Sequence, residues 1–315
     1  MKSFALIGAA GYIAPRHMRA IKDTGNNLVA AVDRSDSVGV IDSYFPEADF
    51  FTEFERFDRH IEKLRREKDH QVDYVSICSP NYLHDAHVRF ALRVGADAIC
   101  EKPLVLKPWN LDSLALIEKE TGKRVYNVLQ LRLHPTLVEL KRKIDEEKKA
   151  EKHNVDLTYI TSRGKWYLYS WKGDASKSGG IASNIGIHFF DMLTWLFGPA
   201  QEIRQHVMEP TLAAGYLELE KARVRWFLST DRRALPAGAR EKNQTTWRSI
   251  RIDNSEIEFS GGFTDLHTQT YAHVLEGRGF GIEDARASIE IAHSIRNAEP
   301  IGLKGDYHPY LRDLR

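Results

Sequence analysis

The sequence contains few cysteines and carries almost no net charge. Its 315 residues include two cysteines, Cys78 and Cys100, and set 45 basic side chains against 44 acidic ones. Two cysteines at the ends of predicted buried strands are too few for a disulfide framework and are typical of small buried thiols. A net charge of +1 lacks the basic excess of a nucleic-acid-binding surface. We therefore expect a cytoplasmic protein with no nucleic-acid partner.

Long apolar runs are also missing. The best candidate for a membrane span, residues 181–197, contains His188 and Asp191, and the apolar run at residues 4–8 is too short for a signal peptide. No G-x-S-x-G motif occurs, which argues against a serine nucleophile elbow. His84 and His87 have no further ligands at suitable spacing, so we predict no metal site and no membrane contact.

The first ~130 residues alternate short apolar runs with amphipathic helical patterns. The apolar runs occupy residues 4–8, 28–33, 73–79, 97–101 and 124–129. The helical patterns occupy residues 12–24, 54–68, 85–94 and 111–120. This alternation predicts an α/β Rossmann-type domain, with a doubly wound parallel sheet and right-handed crossovers.

The second half of the chain follows a different pattern. Strand-like segments occur at residues 155–163, 202–209, 214–220, 222–230 and 255–260. Helical segments occur at residues 181–197, 266–276 and 282–298. Segregated strands and helices predict an α+β domain with a mainly antiparallel sheet. We place the domains at 1–130 and 131–315 and expect the last helix to pack back against the first domain.

A glycine-rich turn follows the first predicted strand and opens the first helix. Gly8-Ala9-Ala10-Gly11-Tyr12-Ile13-Ala14 reads G-x-x-G-x-x-A, a relative of the dinucleotide-binding fingerprint. Gly8 permits the tight turn, Gly11 lets backbone amides approach a pyrophosphate, and Ala14 allows close helix–sheet packing. The turn alone would be equally consistent with an ordinary strand–helix loop.

Asp33 ends the next predicted strand, about twenty residues after the turn. A carboxylate there accepts hydrogen bonds from both ribose hydroxyls and repels a 2′-phosphate, so the sequence favours NAD. Arg34 keeps NADP as an alternative, because a guanidinium can hold that phosphate or stack on the adenine.

Two further segments follow strands of the same predicted sheet. Ser79-Pro80-Asn81-Tyr82-Leu83-His84 follows the third strand, and Glu101-Lys102-Pro103 follows the fourth. The carboxyl ends of these strands are where an open parallel sheet presents groups to a ligand. A lysine exchanges protons near neutral pH when burial or a nearby positive charge, such as an oxidised nicotinamide, lowers its pKa. A surface position on the following helix is the alternative for His84.

The second domain carries a motif of its own, which starts at Gly179-Gly180 and runs through Asn184, His188 and Asp191 to Gly198. Helical spacing places Asn184 and Asp191 four residues before and three residues after His188, on one face. The alternative for His188 is a core histidine. The alternative for Asp191 is a residue that holds the helix or the imidazole.

Together these motifs resemble the glucose-fructose oxidoreductase/inositol dehydrogenase family over essentially the whole chain. The motifs are the glycine turn with Asp33, residues 80–84, residues 101–103 and the motif that runs from Gly179 to Gly198. The resemblance implies an N-terminal Rossmann domain, a C-terminal α+β domain with an open sheet, and nicotinamide-dependent oxidation of a sugar or polyol carbinol. Many members carry an acid where this chain has Asn184. An amide cannot exchange a proton at working pH, so an orienting hydrogen bond is the role left for it.

Asn184, the stretch 162–174 and the stretch 305–310 look like a narrower group within that family. Its members oxidise the 3-hydroxyl of UDP-N-acetylglucosaminuronic acid (UDP-GlcNAcA) on the way to bacterial surface polysaccharides such as lipopolysaccharide O-antigen. This resemblance implies NAD as cofactor, a homotetramer and, in some members, reoxidation of NADH by 2-oxoglutarate.

The catalytic assignment follows from the chemistry of carbinol oxidation, which needs a hydride acceptor at carbon and a base at the hydroxyl. We expect Lys102 and His188 to converge on the reacting hydroxyl. His188 has the better native pKa and Lys102 the better position beside a nicotinamide, so either can be the base. The predicted substrate-binding residues are Asn184, Arg163, Lys165, Tyr169 and Asp191. The predicted cofactor-binding residues are Gly8, Gly11, Tyr12, Ile13, Asp33, Arg34, Ser79, Pro80, Asn81, His84, Glu101, Lys102, Gln130 and Trp171.

The segment 163–172 combines cations with aromatic rings, as a diphosphate-bearing uronate requires. The alternative is a strand with one buried aromatic face and solvated lysines.

Three alternatives remain for the whole protein: a dehydrogenase of another sugar or of an inositol, an NAD-dependent glycoside-cleaving enzyme, and a non-catalytic NAD-binding regulator.

Overall fold

A computed structural model describes residues 1–67, 71–147, 151–257 and 265–313. The chain divides into two compact units. The first comprises Met1–Leu133 and Thr264–Arg286, and the second comprises His134–Phe263 and Ala287–Arg315. The first unit therefore takes a segment from near the C-terminus, which a simple cut at residue 130 does not anticipate.

The first unit is built on a parallel sheet whose strands are short and apolar. Its strands are β1 (Ser3–Ile7), β2 (Asn27–Val32), β3 (Asp49–Phe51), β4 (Tyr74–Ile77), β5 (Asp97–Cys100) and β6 (Val125–Asn127). They lie in the order β3-β2-β1-β4-β5-β6, and each neighbouring pair is parallel. The order reverses beside β1, and in an open parallel sheet a ligand binds at the carboxyl ends of the strands on either side of such a reversal. The predicted doubly wound sheet is confirmed.

Helices connect these strands and cover the sheet. They are α1 (Ala14–Asp23), α2 (Phe54–Arg66), α3 (His84–Arg93) and α4 (Trp109–Thr121), with α10 (Leu266–Leu275) added from the C-terminal part of the chain. Helix α10 packs on α1, and its Tyr271 and Val274 join Phe4, Met18 and Ile21 in one buried cluster. This burial explains why α10 belongs with a sheet formed ~140 residues earlier.

The second unit contains a mixed sheet that is mainly antiparallel. Its strands are β7 (His153–Thr161), β8 (Ala200–Glu209), β9 (Leu212–Leu219), β10 (Ala222–Ser229), β11 (Thr246–Ile252) and β12 (Ser255–Ile257). They lie in the order β12-β11-β7-β10-β9-β8; β7 and β10 are parallel, and the other neighbours are antiparallel. The sheet is not closed, which confirms the predicted open α+β domain.

Alternation along β10 shows how this sheet is covered on both faces. Trp226 meets Phe190 with ring centroids 5.4 Å apart, while the next residue, Phe227, meets His308 and Tyr310 at 5.6 Å. The helices of this unit are α5 (Pro135–Glu146), α6 (Trp166–Tyr169), α7 (Ala175–Ser178), α8 (Ile187–Phe197), α9 (Ala237–Glu241) and α12 (Tyr310–Asp313). Helix α11 (Ile282–Asn297) continues from the first unit into the second.

Some local predictions were wrong. The strand alternative for the segment 163–172 is wrong, because the chain forms the short helix α6 within it. Strand β11 had no counterpart among the predicted strands. The predicted helix 181–197 begins with a π-helical turn over Ala182–Gly186 before α8. Of the predicted strand 255–260, residues 258–260 lie outside the described part of the chain. Among the described residues, no helix is both long enough and apolar enough to span a bilayer.

His308 attaches the C-terminal segment to the second sheet through a defined tautomer. The Tyr310 N–H donates to His308 Nδ1 at 3.2 Å, so the ring proton sits on Nε2, which donates to Thr158 Oγ1 at 3.1 Å. Burial lowers the pKa of His308 to about 4. A proton added to Nδ1 would remove the acceptor for Tyr310.

We therefore predict that acid destabilises the protein through His308. The unfolded chain takes up the proton near pH 6.5 and the folded chain near pH 4, so stability falls by about 3 kcal/mol as pH drops across that window. Urea unfolding at pH 7.5 and pH 4.5 measures the loss, and His308→Gln should show a smaller one. An identical loss in both proteins would contradict the assignment.

Candidate functional site

The glycine turn of the first unit requires glycine at its first position. Gly8 has a φ of +90°, and a Cβ there would lie 2.7 Å from the Cys78 carbonyl carbon and the Ser79 nitrogen. The main chain then closes two tight turns, with Gly11 N donating to Gly8 O and Ala14 N to Gly11 O, both at 3.0 Å. Ala14 is buried at the start of α1. This geometry presents main-chain amides at a helix N-terminus, where a pyrophosphate binds.

Asp33 lies directly after β2 and contacts the glycine turn. Its Oδ2 accepts a hydrogen bond from Ala10 N at 3.0 Å, and its Oδ1 accepts one from Ser35 N at 2.9 Å. Each carboxylate oxygen keeps a second lone pair, so both can also accept from ribose hydroxyls. Arg34 and Tyr12 are exposed, and Ile13 is half-buried.

His84 ties together the loops that follow β4 and β5. It is 1% exposed, so the alternative of a surface histidine is wrong. Its Nδ1 lies 2.7 Å from the Pro103 carbonyl oxygen, and its Nε2 lies 2.8 Å from the Ser79 carbonyl oxygen. Burial lowers the pKa of His84, while the two carbonyls and Glu101 act in the opposite direction. Asn81 is buried beside it in a 3-10 turn.

The main chain of Glu101-Lys102-Pro103 is held at each residue by a side chain. Asn127 Nδ2 donates to the Cys100 and Glu101 carbonyls at 2.9 and 3.3 Å. The Lys102 N–H donates to Glu101 Oε2 at 3.2 Å, and the Pro103 carbonyl contacts His84. The lysine is therefore fixed at its main chain while its side chain is half-buried.

Two histidines that the sequence did not single out meet the Glu101 carboxylate. His17 Nε2 and His267 Nε2 lie 3.0 and 3.1 Å from Glu101 Oε1. Burial raises the pKa of Glu101, but the hydrogen bonds from both imidazoles outweigh it and hold that pKa well below its usual range. His17 and His267 are 84 and 166 residues from Glu101, and no local pattern signals this contact.

The second unit brings Asn184 and Tyr167 together beside His188. Asn184 Nδ2 donates to Tyr167 Oη at 2.6 Å, and both side chains are buried. Asn184 lies in the π-helical turn, His188 is half-buried in the first turn of α8, and Asp191 is 2% exposed one turn later. A π-helical turn often marks a functional site. Here Gly186 lets the turn pack closely, because a Cβ would lie 2.7 Å from Leu228 Cδ1.

The segment around α6 places cations next to exposed aromatic rings. Lys172 Nζ lies 5.3 Å from the ring centre of Trp166 and 5.6 Å from that of Trp171. Trp166 and Tyr169 are 57% and 89% exposed, whereas Tyr167 is buried. Burial and the charge of Arg163 lower the pKa of Lys172. Arg163 and Lys165 are exposed, so the segment is a cationic and aromatic surface.

The predicted residues thus fall into two groups, one in each unit. In the first unit, Gly8, Asp33, Ser79, His84 and Lys102 all lie just beyond the carboxyl ends of β1, β2, β4 and β5. Gln130 is half-buried in the 3-10 turn that follows β6. The predicted substrate residues belong to the second unit, on the α6 segment, the π-helical turn and α8.

Sequence comparison identifies the protein family to which this two-domain chain is related. The Gfo/Idh/MocA oxidoreductase family, described as having an NAD-binding Rossmann fold, matches residues 2–128, and its C-terminal alpha/beta domain matches residues 141–235. The chain belongs to the Gfo/Idh/MocA family. It is an oxidoreductase with an NAD-binding Rossmann domain, and the resemblance inferred from its motifs is confirmed.

Solved structures include one that is similar over nearly the full chain. The WlbA (WbpB) dehydrogenase from Thermus thermophilus is 52% identical, covers 98% of this chain and 100% of its own, and superposes with a TM-score of 0.95. That structure contains NAD and α-ketoglutarate (2-oxoglutarate), and a second structure of the same dehydrogenase, with a TM-score of 0.94, contains NAD and UDP-GlcNAcA.

Curated relatives are more distant. Inositol 2-dehydrogenase from Rhizobium meliloti is 28% identical over 204 residues, and glucose-6-phosphate 3-dehydrogenase from Bacillus subtilis is 25% identical over 210 residues. Each alignment covers 62% of this chain and 54% of the relative. Other curated relatives align over 36% of their length or less. This chain thus spans about half or less of the curated relatives that it matches.

Within this Gfo/Idh/MocA oxidoreductase, we predict that Gly8→Ala abolishes tight NAD binding. The added Cβ would clash with main-chain atoms of Cys78 and Ser79, so the amides at the start of α1 must move. We expect at least a ~10-fold weaker affinity for NADH, by fluorescence titration. Gly25→Ala is the matched control, because Gly25 also has a positive φ but no atom within 4 Å. It should lose about 1 to 2 kcal/mol of stability and keep wild-type affinity.

We further predict that NADH binds more tightly than NADPH. Asp33 ends β2 with its carboxylate already anchored to Ala10, and its charge repels a 2′-phosphate. Titration of both cofactors measures the ratio, and Arg34→Ala should leave the preference for NADH in place. Tighter binding of NADPH would assign the phosphate to Arg34 and contradict this prediction.

Proposed function

We propose that this enzyme oxidises the 3-hydroxyl of UDP-GlcNAcA to the 3-keto sugar, with NAD as hydride acceptor. The observation that carries the proposal is the 52% identity, over 98% of the chain, to a dehydrogenase solved with NAD and UDP-GlcNAcA. The competing sugars of the family, an inositol and glucose 6-phosphate, belong to relatives at 28% and 25% identity over 62% of the chain.

The α6 segment supports a substrate that carries a diphosphate and a carboxylate. Arg163 and Lys165 are exposed cations within three residues of the exposed ring of Trp166. Cations bind phosphate and carboxylate oxygens, and exposed rings provide stacking surface for a base or a sugar. An inositol has neither charged group and would leave these cations without a role.

The catalytic roles stay with Lys102 and His188. Bound NAD⁺ accepts the hydride from the carbinol carbon. The hydroxyl proton then passes to a base, and we assign this role to His188, whose ordinary pKa is near neutrality. Lys102 donates a hydrogen bond to the same oxygen. Asn184, held by Tyr167, orients the substrate and exchanges no proton.

Regeneration of the cofactor by 2-oxoglutarate completes the proposal. Reduction of the keto group of 2-oxoglutarate to a hydroxyl reoxidises NADH to NAD⁺. Overall, the sugar hydroxyl becomes a ketone while the ketone of 2-oxoglutarate becomes a hydroxyl. The support is the α-ketoglutarate in the T. thermophilus structure.

The proposal also includes a homotetramer, a cytoplasmic location and a role in the biosynthesis of a surface polysaccharide such as O-antigen. Light scattering coupled to size exclusion tests the tetramer.

Incubation with UDP-GlcNAcA and 2-oxoglutarate tests the function. We expect stoichiometric 2-hydroxyglutarate and a product 2 Da lighter than the substrate, by mass spectrometry, with no added NAD beyond that bound. Parallel reactions contain myo-inositol or glucose 6-phosphate with added NAD⁺. Turnover of either one, together with inert UDP-GlcNAcA, would replace the proposed substrate.

Two substitutions test the catalytic residues. Lys102→Ala and His188→Asn should each lower kcat by at least ~100-fold, a typical contribution of general acid–base groups. Lys107→Ala is the control, because this exposed lysine lies five residues after Lys102. Circular dichroism and NADH titration establish that each variant folds and binds cofactor. Near-wild-type kcat in both variants would contradict the proposed catalytic roles of Lys102 and His188.

A further inference from the structure

The buried Glu101 carboxylate contacts His17, His267 and the Lys102 amide, and the two histidines have no role in the scheme above. We call His17, Ser76, Glu101, His267 and Tyr271 the Glu101 cluster. Each of them is 7% exposed or less. They come from α1, β4, the end of β5 and α10, so the cluster joins four elements of this unit.

Hydrogen-bond partners fix the protons in this cluster. An ionised Glu101 accepts at Oε1 from Nε2–H of His17 at 3.0 Å and of His267 at 3.1 Å. His17 Nδ1 is then an acceptor, 2.8 Å from the Tyr271 hydroxyl. The Tyr271 oxygen in turn lies 2.6 Å from Ser76 Oγ, which donates to it. The direction of donation thus runs from Ser76 through Tyr271 and His17 to Glu101.

The second oxygen of the carboxylate faces the catalytic residue. Glu101 Oε2 accepts the main-chain N–H of Lys102 at 3.2 Å. Because two imidazoles hold Oε1, the carboxylate plane is fixed, and Oε2 therefore holds the Lys102 amide in one place. Asn127 and His84 fix the neighbouring carbonyls of Glu101 and Pro103.

We propose that His17 and His267 are positioning residues for catalysis, which hold the Glu101 carboxylate so that it fixes the main chain from which the Lys102 amine extends. This inference rests on the proposed role of Lys102. Oriented catalytic groups lower barriers through preorganised geometry, and small displacements of such groups are costly. The two histidines act through Glu101 and do not contact the reacting atoms.

A zinc site is the competing interpretation of the same residues. The two imidazole nitrogens and the carboxylate oxygen all lie within 4.8 Å of one another, and these are ligand types that zinc binds. A metal would require both Nε2 atoms to be unprotonated. The contacts of both Nε2 atoms with one carboxylate oxygen are instead those of two N–H donors.

A pair of substitutions at His267 separates positioning from packing. His267→Leu removes the donor to Glu101 and keeps most of the volume, whereas His267→Gln keeps an N–H near the position of Nε2. We expect His267→Leu to lower kcat by about 10-fold, the equivalent of one lost hydrogen bond, with KM for UDP-GlcNAcA and NAD within about 2-fold. His267→Gln should retain kcat within about 3-fold. If His267→Leu yields no folded protein, Glu101→Gln takes its place.

An activity-independent measurement accompanies the kinetics. Amide hydrogen exchange at Lys102, followed by NMR in the NADH complex, should be faster in His267→Leu and in Glu101→Gln than in the wild type. Thr270→Ala is the matched control, because it removes another buried hydrogen bond of α10, from Thr270 Oγ1 to the Leu266 carbonyl at 2.8 Å, outside the cluster. It should lower thermal stability and leave both kcat and Lys102 exchange unchanged.

The outcomes distinguish the two proposals. A wild-type protein that does not turn over UDP-GlcNAcA, but whose Lys102 exchange responds as expected, would refute the proposed substrate and leave the positioning inference standing. Unchanged kcat and exchange in His267→Leu would refute positioning. Equal losses in the Leu and Gln variants would assign His267 to packing alone. Stoichiometric zinc in the purified protein, by mass spectrometry of metals, would also overturn the inference.

Discussion

The organisation of the first unit depends on one buried negative charge. Removing a carboxylate from water costs several kcal/mol unless hydrogen bonds replace its hydration. Hydrogen bonds from His17, His267 and the Lys102 amide offset that cost for Glu101. Because these donors come from α1, α10 and the end of β5, the charge is satisfied only when all three elements are in place. The anion therefore connects the packing of α1 and α10 to the main chain of Lys102.

The same charge shapes the chemistry around it. Burial raises the pKa of the thiols of Cys78 and Cys100 well above its usual range, and Glu101 adds to the effect. Both cysteines therefore stay as protonated thiols and contribute packing rather than redox chemistry. Burial lowers the pKa of His17 despite the hydrogen bond to Glu101, so the imidazole is a neutral donor. Glu101 and His17 thus form a buried pair of an anion and a neutral hydrogen-bond donor.

Local sequence patterns could predict that the proposed cofactor residues share one edge of the sheet, but not the contacts that hold them there. The positions of Gly8, Asp33 and Lys102 could be predicted because each lies at the end of a short apolar run, and parallel strands bring their carboxyl ends to one edge. His17 and His267 could not be found, since their contact with Glu101 depends on α10 packing against α1 from 166 residues beyond Glu101. The segment 163–172 was open to a strand interpretation because its alternating aromatic residues fit a strand and a short helix equally well. Strand β11 was missed even though Asp253-Asn254, directly after it, is a turn signal, and its pairing with β7 is long-range.

The two units also differ in how their functional groups are held, and this difference bears on specificity. On the cofactor side, Asp33, His84 and Glu101 already have internal partners, so the arrangement is rigid and suits one invariant ligand. On the α6 segment, Arg163, Lys165 and Tyr169 are exposed. Curated relatives at 28% and 25% identity are named as an inositol dehydrogenase and a glucose-6-phosphate dehydrogenase, so the named substrates differ among related sequences. In the proposed function, the exposed cations and rings of the second unit bind the sugar nucleotide, and their identities can change without disturbing the buried charge of the first unit.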